Sequence, residues 1–310
     1  MNIKQNAGAF DCIVIGAGPA GLTAAIYLAR FHLSVLVIDG GKSRAAMIPV
    51  THNHAGFPRG IAGIELLSRM RDQAFQYGTS FEAGKVLSLK LEVGPLLVVG
   101  AAGCERRAKT VLLATGVVNK RPKMSESIHD EALARGLLRY CPVCDGYEVT
   151  DRQIGVIGTG EHGLCEAEFL RGFTSNLTLI SPDAPHELDH MQRARAKAAG
   201  IELLDGACLG YSLRSDRIEV SIPEGNRSFA SLYPALGTMI QSDLAIDVGA
   251  RISNDGCPVV DSHQRTTVKG VYAAGDLVLG LDQICHAMGQ AAVAATSIRN
   301  DLAKICPLQR

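Results

Sequence analysis

Two glycine-rich turns, each following an apolar run and opening a helical one, constrain this chain more than anything else in it. The first is Gly16-Ala17-Gly18-Pro19-Ala20-Gly21 and the second is Gly158-Thr159-Gly160-Glu161-His162-Gly163. In such a turn the first glycine permits the tight bend. The second lets a pyrophosphate approach the backbone, and the third lets helix pack closely on strand. The helix that follows presents free N–H groups and a positive dipole end to an anion. Around the first turn, residues 10–15 read as a buried strand, 22–30 as a helix and 33–38 as the next strand, which ends at Asp39. An acid there can accept hydrogen bonds from a ribose. Residues 154–157, 164–171 and 177–180 repeat the pattern around the second turn.

The rest of the chain fits between and after these units. Residues 79–99 alternate loosely and suggest a small antiparallel sheet; 109–114 read as a strand and 119–123 as a linker. Strands are expected at 218–222 and 231–236. From about Gln241 the chain returns to its first half, with a strand at 270–274, a turn at Gly275-Asp276 and a long Ala-rich helix at 284–302. The expected fold class is α/β: two Rossmann-like three-layer domains, the second inserted in the first. Residues 1–116 and 242–310 form the discontinuous first domain and 117–241 the second.

Between the two turns stands Cys141-Pro142-Val143-Cys144-Asp145-Gly146. Cys141 and Cys144 are spaced to close a small disulfide ring at a helix N-terminus, where a thiolate is stabilised and becomes the better nucleophile. One cysteine can attack a substrate disulfide and the other can resolve the mixed disulfide. Zinc would need a second Cys-x-x-Cys or a histidine cluster, and the chain has neither, so no metal is expected. Two dinucleotide turns with a dithiol between them describe a flavoenzyme that exchanges electrons with a disulfide.

Charge and cysteine usage narrow the setting. Lys plus Arg and Asp plus Glu both number 31, which argues against a nucleic-acid or membrane surface. Residues 1–6 lack the regions of a secretory leader, and the longest apolar run, 12–29, is broken by glycines and a proline. Nine scattered cysteines are an odd number and no secreted disulfide framework. A cytoplasmic protein with one special pair is expected.

Tyr272-Ala273-Ala274-Gly275-Asp276, Ala114-Thr115-Gly116, Asn53-His54-Ala55-Gly56-Phe57-Pro58 and Gln283-Ile284 stand in one order along the chain. On these motifs and Cys-x-x-Cys-Asp-Gly, nearly the whole chain resembles the low-molecular-weight thioredoxin reductases, the class II pyridine nucleotide-disulfide oxidoreductases. The resemblance implies FAD held by Gly16, Gly18, Pro19, Ala20, Gly21, Asp39 and Thr115. Asn53 would lie against the flavin, Gly275 and Asp276 at the ribityl chain, and Gln283 and Ile284 near the pyrimidine edge. It implies Asp145 as general acid or base, thioredoxin or a small dithiol as partner, and a homodimer whose smaller domain rotates. His286 is a further candidate for the flavin's surroundings; His52 and His54 read as loop residues.

The chain departs from that family in three places. Gly158, Gly160, Glu161 and Gly163 form the candidate second-nucleotide site. The family follows its next strand with arginines that clasp the 2′-phosphate of NADPH. Here the sequence runs Ser181-Pro182-Asp183-Ala184-Pro185, which speaks against NAD(P)H and leaves room for a second flavin. The family's Gly-Gly-Gln-Leu becomes Gly41-Lys42-Ser43-Arg44, and the Arg that often precedes its Gln-Ala pair becomes Asp282. The expected function is an FAD-dependent dithiol–disulfide oxidoreductase resembling thioredoxin reductase, with electrons passing through Cys141–Cys144 to a protein disulfide. Three alternatives stand beside it. One is a pyridine-nucleotide-independent reductase fed by ferredoxin or a second flavin. Another is an O2-dependent oxidase of small dithiols, similar to the gliotoxin and holomycin oxidases. The last is a non-catalytic flavin sensor.

Overall fold

The computed structural model describes residues 9–92, 97–101 and 104–308. Residues 1–6, read above as lacking a leader, part of the alternating stretch at 93–96, and the side chain of Cys104 fall outside the described set. Contacts divide the chain into two compact units. One comprises residues 1–47, 61–118 and 240–310, and the other 48–60 and 119–239.

The first unit opens with β1 (Phe10–Ile15), α1 (Pro19–Arg30) and β2 (Val35–Asp39). Helix α1 starts earlier than its apolar residues suggest, because a proline at the first helical position has no N–H to leave unsatisfied and its φ is already helical. After α2 (Gly63–Gln76) come β3 (Ser80–Ala83), β4 (Val86–Leu91), β5 (Leu97–Ala101), β6 (Cys104–Leu113) and β7 (Val117–Asn119). Strands β4 to β6 pair antiparallel, but β3 pairs parallel to β2, with Val37 opposite Phe81. The small antiparallel sheet expected over 79–99 therefore begins only at β4. Helix α2 is a crossover, which returns the chain parallel.

The second unit holds α3 (Glu126–Ala134), α4 (Pro142–Asp145), β8 (Ile154–Ile157), α5 (Gly160–Leu170), β9 (Leu177–Ile180), α6 (His190–Ala198) and β10 (Glu202–Leu204). It continues through β11 (Gly210–Leu213), β12 (Ile218–Ile222), β13 (Gly225–Phe229), β14 (Ser231–Pro234) and β15 (Thr238–Ile240). Its main sheet is parallel, in the order β10-β9-β8-β14, and β11-β12-β13 form a separate antiparallel sheet. Strands β7 and β15 pair where the chain passes between the units. Then α7 (Asp243–Asp247), β16 (Val271–Ala273) and α8 (Ile284–Ile305) complete the first unit. Strand β16 pairs parallel to β6, which in turn pairs parallel to β1. Residues 48–60, assigned from sequence to the first domain, group with the second unit, where the Asn53 amide reaches the Val143 carbonyl at 3.4 Å.

Each unit is a Rossmann-like α/β layer structure with its own core. Ile13, Ile15, Leu36, Ile38, Val111 and Leu113 are buried in the first unit, and Val156, Leu164, Ala167, Leu170, Leu179 and Tyr233 in the second. Each full burial of a large apolar side chain contributes about 1.5–3 kcal/mol relative to exposure. Among the described residues, no helix is long and apolar enough to cross a membrane.

Helix α5 carries one polar group into this packing. The Glu166 Oε1 atom is buried without a hydrogen-bond partner, and burial pushes the carboxyl pKa up to about 7 from 4.5. The folded protein keeps a proton that the unfolded chain loses above pH 4.5, so raising the pH from about 4.5 to about 7 costs stability, and the loss is complete above that window. Glu166→Gln should remove this dependence and stabilise the protein at pH 8 by up to about 3 kcal/mol, at 1.36 kcal/mol per pKa unit. Denaturant midpoints of both proteins between pH 4.5 and 8 check it; parallel curves would mean that Glu166 is solvated.

Candidate flavin and redox-disulfide sites

In the first unit the turn after β1 leaves no room for a side chain at Gly16 or Gly21. Gly16 has φ +104°, and a Cβ on it would stand 2.4 Å from the Ala114 carbonyl oxygen. A Cβ on Gly21 would stand 1.8 Å from the carbonyl oxygen of Gly16. Gly18, at the N-cap of α1, has no side chain to cap the helix, so the first-turn N–H groups are presented to a ligand. Asp39 Oδ1 accepts the Ala17 N–H at 3.1 Å, and Oδ2 accepts from Arg71 at 3.2 Å, which fixes the carboxylate at the end of β2. This cradle, open to phosphate and without room for a Cβ at Gly16 or Gly21, fits the adenosine diphosphate half of FAD.

The other sequence-expected cofactor residues of this unit gather at the ends of β6 and β16. Thr115 Oγ1 donates to the Gln241 carbonyl at 2.7 Å. Gly275 has φ +81°, and a Cβ on it would meet Ala20 of α1 at 2.9 Å. The Gly275 N–H donates to Gln290 Oε1 at 2.8 Å, and Gln290 Nε2 lies 2.8 Å from His286 Nε2. Gln283 is the N-cap of α8 and Ile284 its first residue. Asp276 Oδ2 accepts from Arg44 Nη1 at 3.1 Å. Burial and then the nearby Asp282 raise its pKa, against the pull of Arg44. Asn53 is the exception, lying in the second unit beside the cysteine turn.

In the second unit Cys141 and Cys144 form a disulfide of S–S 2.06 Å with Cα atoms 5.2 Å apart. The helix that begins there, α4, is a single turn of four residues, so its dipole contributes little. A direct bond takes that role: the Cys144 N–H donates to Cys141 Sγ at 3.1 Å, favouring negative charge on that sulfur. A Cβ on Gly146 would lie 2.7 Å from both Pro142 O and the Phe173 ring, so only glycine closes the turn.

Asp145 is held at both oxygens. Oδ2 accepts from Arg139 Nη1 at 2.9 Å, and Oδ1 accepts from the Tyr233 hydroxyl at 2.8 Å. Arg139 is itself fixed, its Nε donating to Gly136 O at 3.0 Å and to Ser231 Oγ at 3.2 Å. Burial raises the Asp145 pKa, while Arg139 and Tyr233 pull it back. The sequence reading missed both partners. Arg139 is close along the chain but carries no motif, and Tyr233 arrives from β14, 88 residues away. A fixed carboxylate beside a dithiol–disulfide pair can take and return a thiol proton.

The second glycine turn has the same closeness, a Cβ on Gly158 meeting Ala235 O at 2.9 Å and one on Gly163 meeting Gly158 C at 2.8 Å. Gly160 has φ +63° and begins α5. The loop after β9 folds onto this turn, with the Glu187 N–H donating to Thr159 Oγ1 at 2.9 Å. Glu161 turns toward α6, where Arg195 Nη1 donates to both of its oxygens at 2.8 and 3.0 Å and holds its pKa down at about 2. Asp183 pairs with Lys123.

Replacing Arg139 with Met should leave burial of Asp145 opposed by the Tyr233 hydroxyl alone. The acid limb of dithiothreitol reduction of the pair, followed against pH, should then move to higher pH. Tyr233→Phe should move it the same way by less. An unmoved limb in both would mean that Asp145 does not handle the proton.

The chain matches the family model described as pyridine nucleotide-disulphide oxidoreductase over residues 10–291. It is 32% identical over 311 residues to the thioredoxin reductase of Aquifex aeolicus (strain VF5), covering 94% of this chain and 91% of that protein. It is 32% identical over 303 residues to the thioredoxin reductase of Mycolicibacterium smegmatis, covering 93% and 92%. Among solved structures it is similar to HlmI, with TM-score 0.88 and 26% identity, covering 98% of this chain and 95% of that one. The thioredoxin reductase of Streptococcus pyogenes MGAS5005 matches with TM-score 0.87 and 26% identity, covering 96% and 99%.

Proposed function

The chain belongs to the pyridine nucleotide-disulphide oxidoreductase family as a thioredoxin reductase-like, FAD-dependent disulfide oxidoreductase, and from that premise we propose that its electrons pass between FAD and Cys141–Cys144 and on to a protein disulfide. The observation that carries this reading is the Cys141–Cys144 disulfide with Asp145, the next residue along the chain, fixed by Arg139 and Tyr233. FAD, when bound, supplies the two-electron carrier that reduces the pair or is reduced by it.

In the reducing direction a thiolate of the pair attacks one substrate sulfur. The substrate S–S bond breaks, a mixed disulfide forms and one substrate thiolate leaves. The second cysteine attacks the enzyme sulfur of that mixed disulfide, which restores Cys141–Cys144 and releases the second thiolate. Two electrons have moved from the pair to the substrate, and two protons complete the substrate thiols. Asp145 moves such a proton between its carboxyl and the sulfur beside it. The N–H of Cys144 lowers the cost of a thiolate at Cys141. A thioredoxin-like protein is the partner of this reading, since the relatives above carry that name. A homodimer is part of the reading on resemblance alone. The free thiols at Cys12, Cys165, Cys208, Cys257, Cys285 and Cys306 support a reducing, cytoplasmic setting.

The donor is where a second reading has support. The loop after β9 supplies no arginine, and its Asp183 is paired with Lys123. These features favour a donor other than NADPH: ferredoxin, or a flavin in place of the nicotinamide nucleotide.

Anaerobic titration of the holoprotein tests both readings through the flavin's visible absorbance. NADPH and NADH should leave the absorbance unchanged on the timescale in which dithionite or dithiothreitol bleaches it. Fast bleaching by either nucleotide would return the donor to the pyridine class. Cys144→Ser should keep the flavin spectrum and lose disulfide transfer by about 1,000-fold or more, as expected when a covalent step loses its resolving group. Transfer that survives the substitution would remove the pair from the reaction.

A further inference from the structure

The two departures at positions 44 and 282, 238 residues apart, meet in the folded chain. One nitrogen of Arg44, Nη1, donates to Asp282 Oδ2 at 2.8 Å and to Asp276 Oδ2 at 3.1 Å. The Arg44 and Asp276 side chains are only 22% and 20% exposed, so solvent does not screen this contact as it would a surface pair. Asp276 closes the turn after β16, and Asp282 stands immediately before Gln283, the N-cap of α8. Just before Arg44, Ser43 Oγ lies 3.3 Å from where a Cβ on Gly18 would stand. The short segment 43–44 thus touches three pieces of the nucleotide cradle: the first glycine turn, the Gly275-Asp276 turn and the start of α8.

We propose that Arg44 is a positioning residue of the flavin site, holding Asp276 as an aimed carboxylate and neutralising the second carboxylate, Asp282, that this chain places beside it. The proposal rests on the reading of the first unit as the FAD site. A cation at 44 and an acid at 282 are then one change: the positive charge has crossed from one wall of the turn to the other. The cluster carries two carboxylates and one guanidinium, so its net charge is −1. Without Arg44 two part-buried carboxylates face each other across Asp276–Asp282, and the diphosphate of FAD must approach an uncompensated double negative charge. Removing one partner of such a group is costly chiefly because of what is left unpaired. A lysine could not replace the arginine faithfully, because it is a point charge without the guanidinium's fixed fork of donors.

The test is FAD affinity of apoprotein, read by quenching of FAD fluorescence, with the melting temperature of each apoprotein as the control for folding. Arg44→Met should weaken FAD binding about tenfold or more, the effect of leaving a buried charge unpaired. Asp282→Asn alone should leave the affinity within about threefold, since Arg44 still serves Asp276. The double variant R44M/D282N should recover much of what R44M loses, because the second carboxylate is gone. That recovery is the signature of charge compensation, and direct contact between Arg44 and FAD would not produce it. If R44M does not fold, a double variant that folds and binds FAD supports the proposal equally. Equal affinity in R44M and wild type overturns it, as does a double variant no better than R44M. Wild-type apoprotein that takes up no FAD overturns the reading of the site itself, a distinct result.

Discussion

Everything in this molecule depends on two backbone approaches that admit no side chain. Gly21 lies so near the Gly16 carbonyl that a Cβ would sit at 1.8 Å, and Gly163 stands in the same relation to Gly158 at 2.8 Å. Each approach draws the start of a helix against the end of a strand. In both units the strand has a parallel neighbour on each side, and the turn opens at its carboxyl end. A nucleotide site and a close-packed βα junction are thus one requirement on the backbone, met twice in the chain. The two copies then diverge by what surrounds them. Around the first, Asp39, Gly275 and the start of α8 leave a cradle. Around the second, the loop from β9 ties itself to Thr159, and Glu161 is committed to Arg195.

The units were legible wherever the chemistry was local. Strands β1, β8 and β9 stand where their β-branched runs put them, because a buried parallel strand must be apolar along its length, and β12 where its alternation does, because an antiparallel strand buries every second residue. Helix ends were less legible, since α1 and α5 begin inside their glycine turns, where nothing apolar marks the start. Helices α2, α3 and α6 left no mark on the sequence reading. Their first residues carry no glycine motif, and exposed apolar residues such as Ile64, Phe75 and Met191 blur the periodicity of α2 and α6; the local marks that do exist are N-caps, Ser125 on α3 and the Asp189–Gln192 capping box on α6. The direction of β3 was likewise not local: Ser80–Ala83 cannot say whether it pairs with β2 or β4 until α2 is known to cross over.

The candidate sites divide in the same way. Glycines, Asp39 and the cysteine pair belong to motifs a few residues long, so the order of the chain displays them. The residues that set the chemistry of those motifs come from afar. Tyr233 reaches Asp145 across 88 residues, and Arg44 reaches Asp282 across 238. Arg44 and Asp282 read separately look like two losses from a family pattern. In space they are an opposite-charge pair, and only the fold makes the compensation visible.

Residues 48–60 leave the first unit between β2 and α2, join the unit that carries the cysteines, and return. The redox unit is therefore not a single insert bounded by two crossings; a short strip of it is encoded upstream, inside the other unit's sequence. A cassette cut from 119 to 239 would lack that strip and the amide that Asn53 lends to the cysteine turn. Recombination between relatives at the two obvious boundaries would pair one parent's cysteine turn with the other parent's strip. The loop and the cysteine turn it touches must therefore be inherited together, although a gene does not keep them side by side.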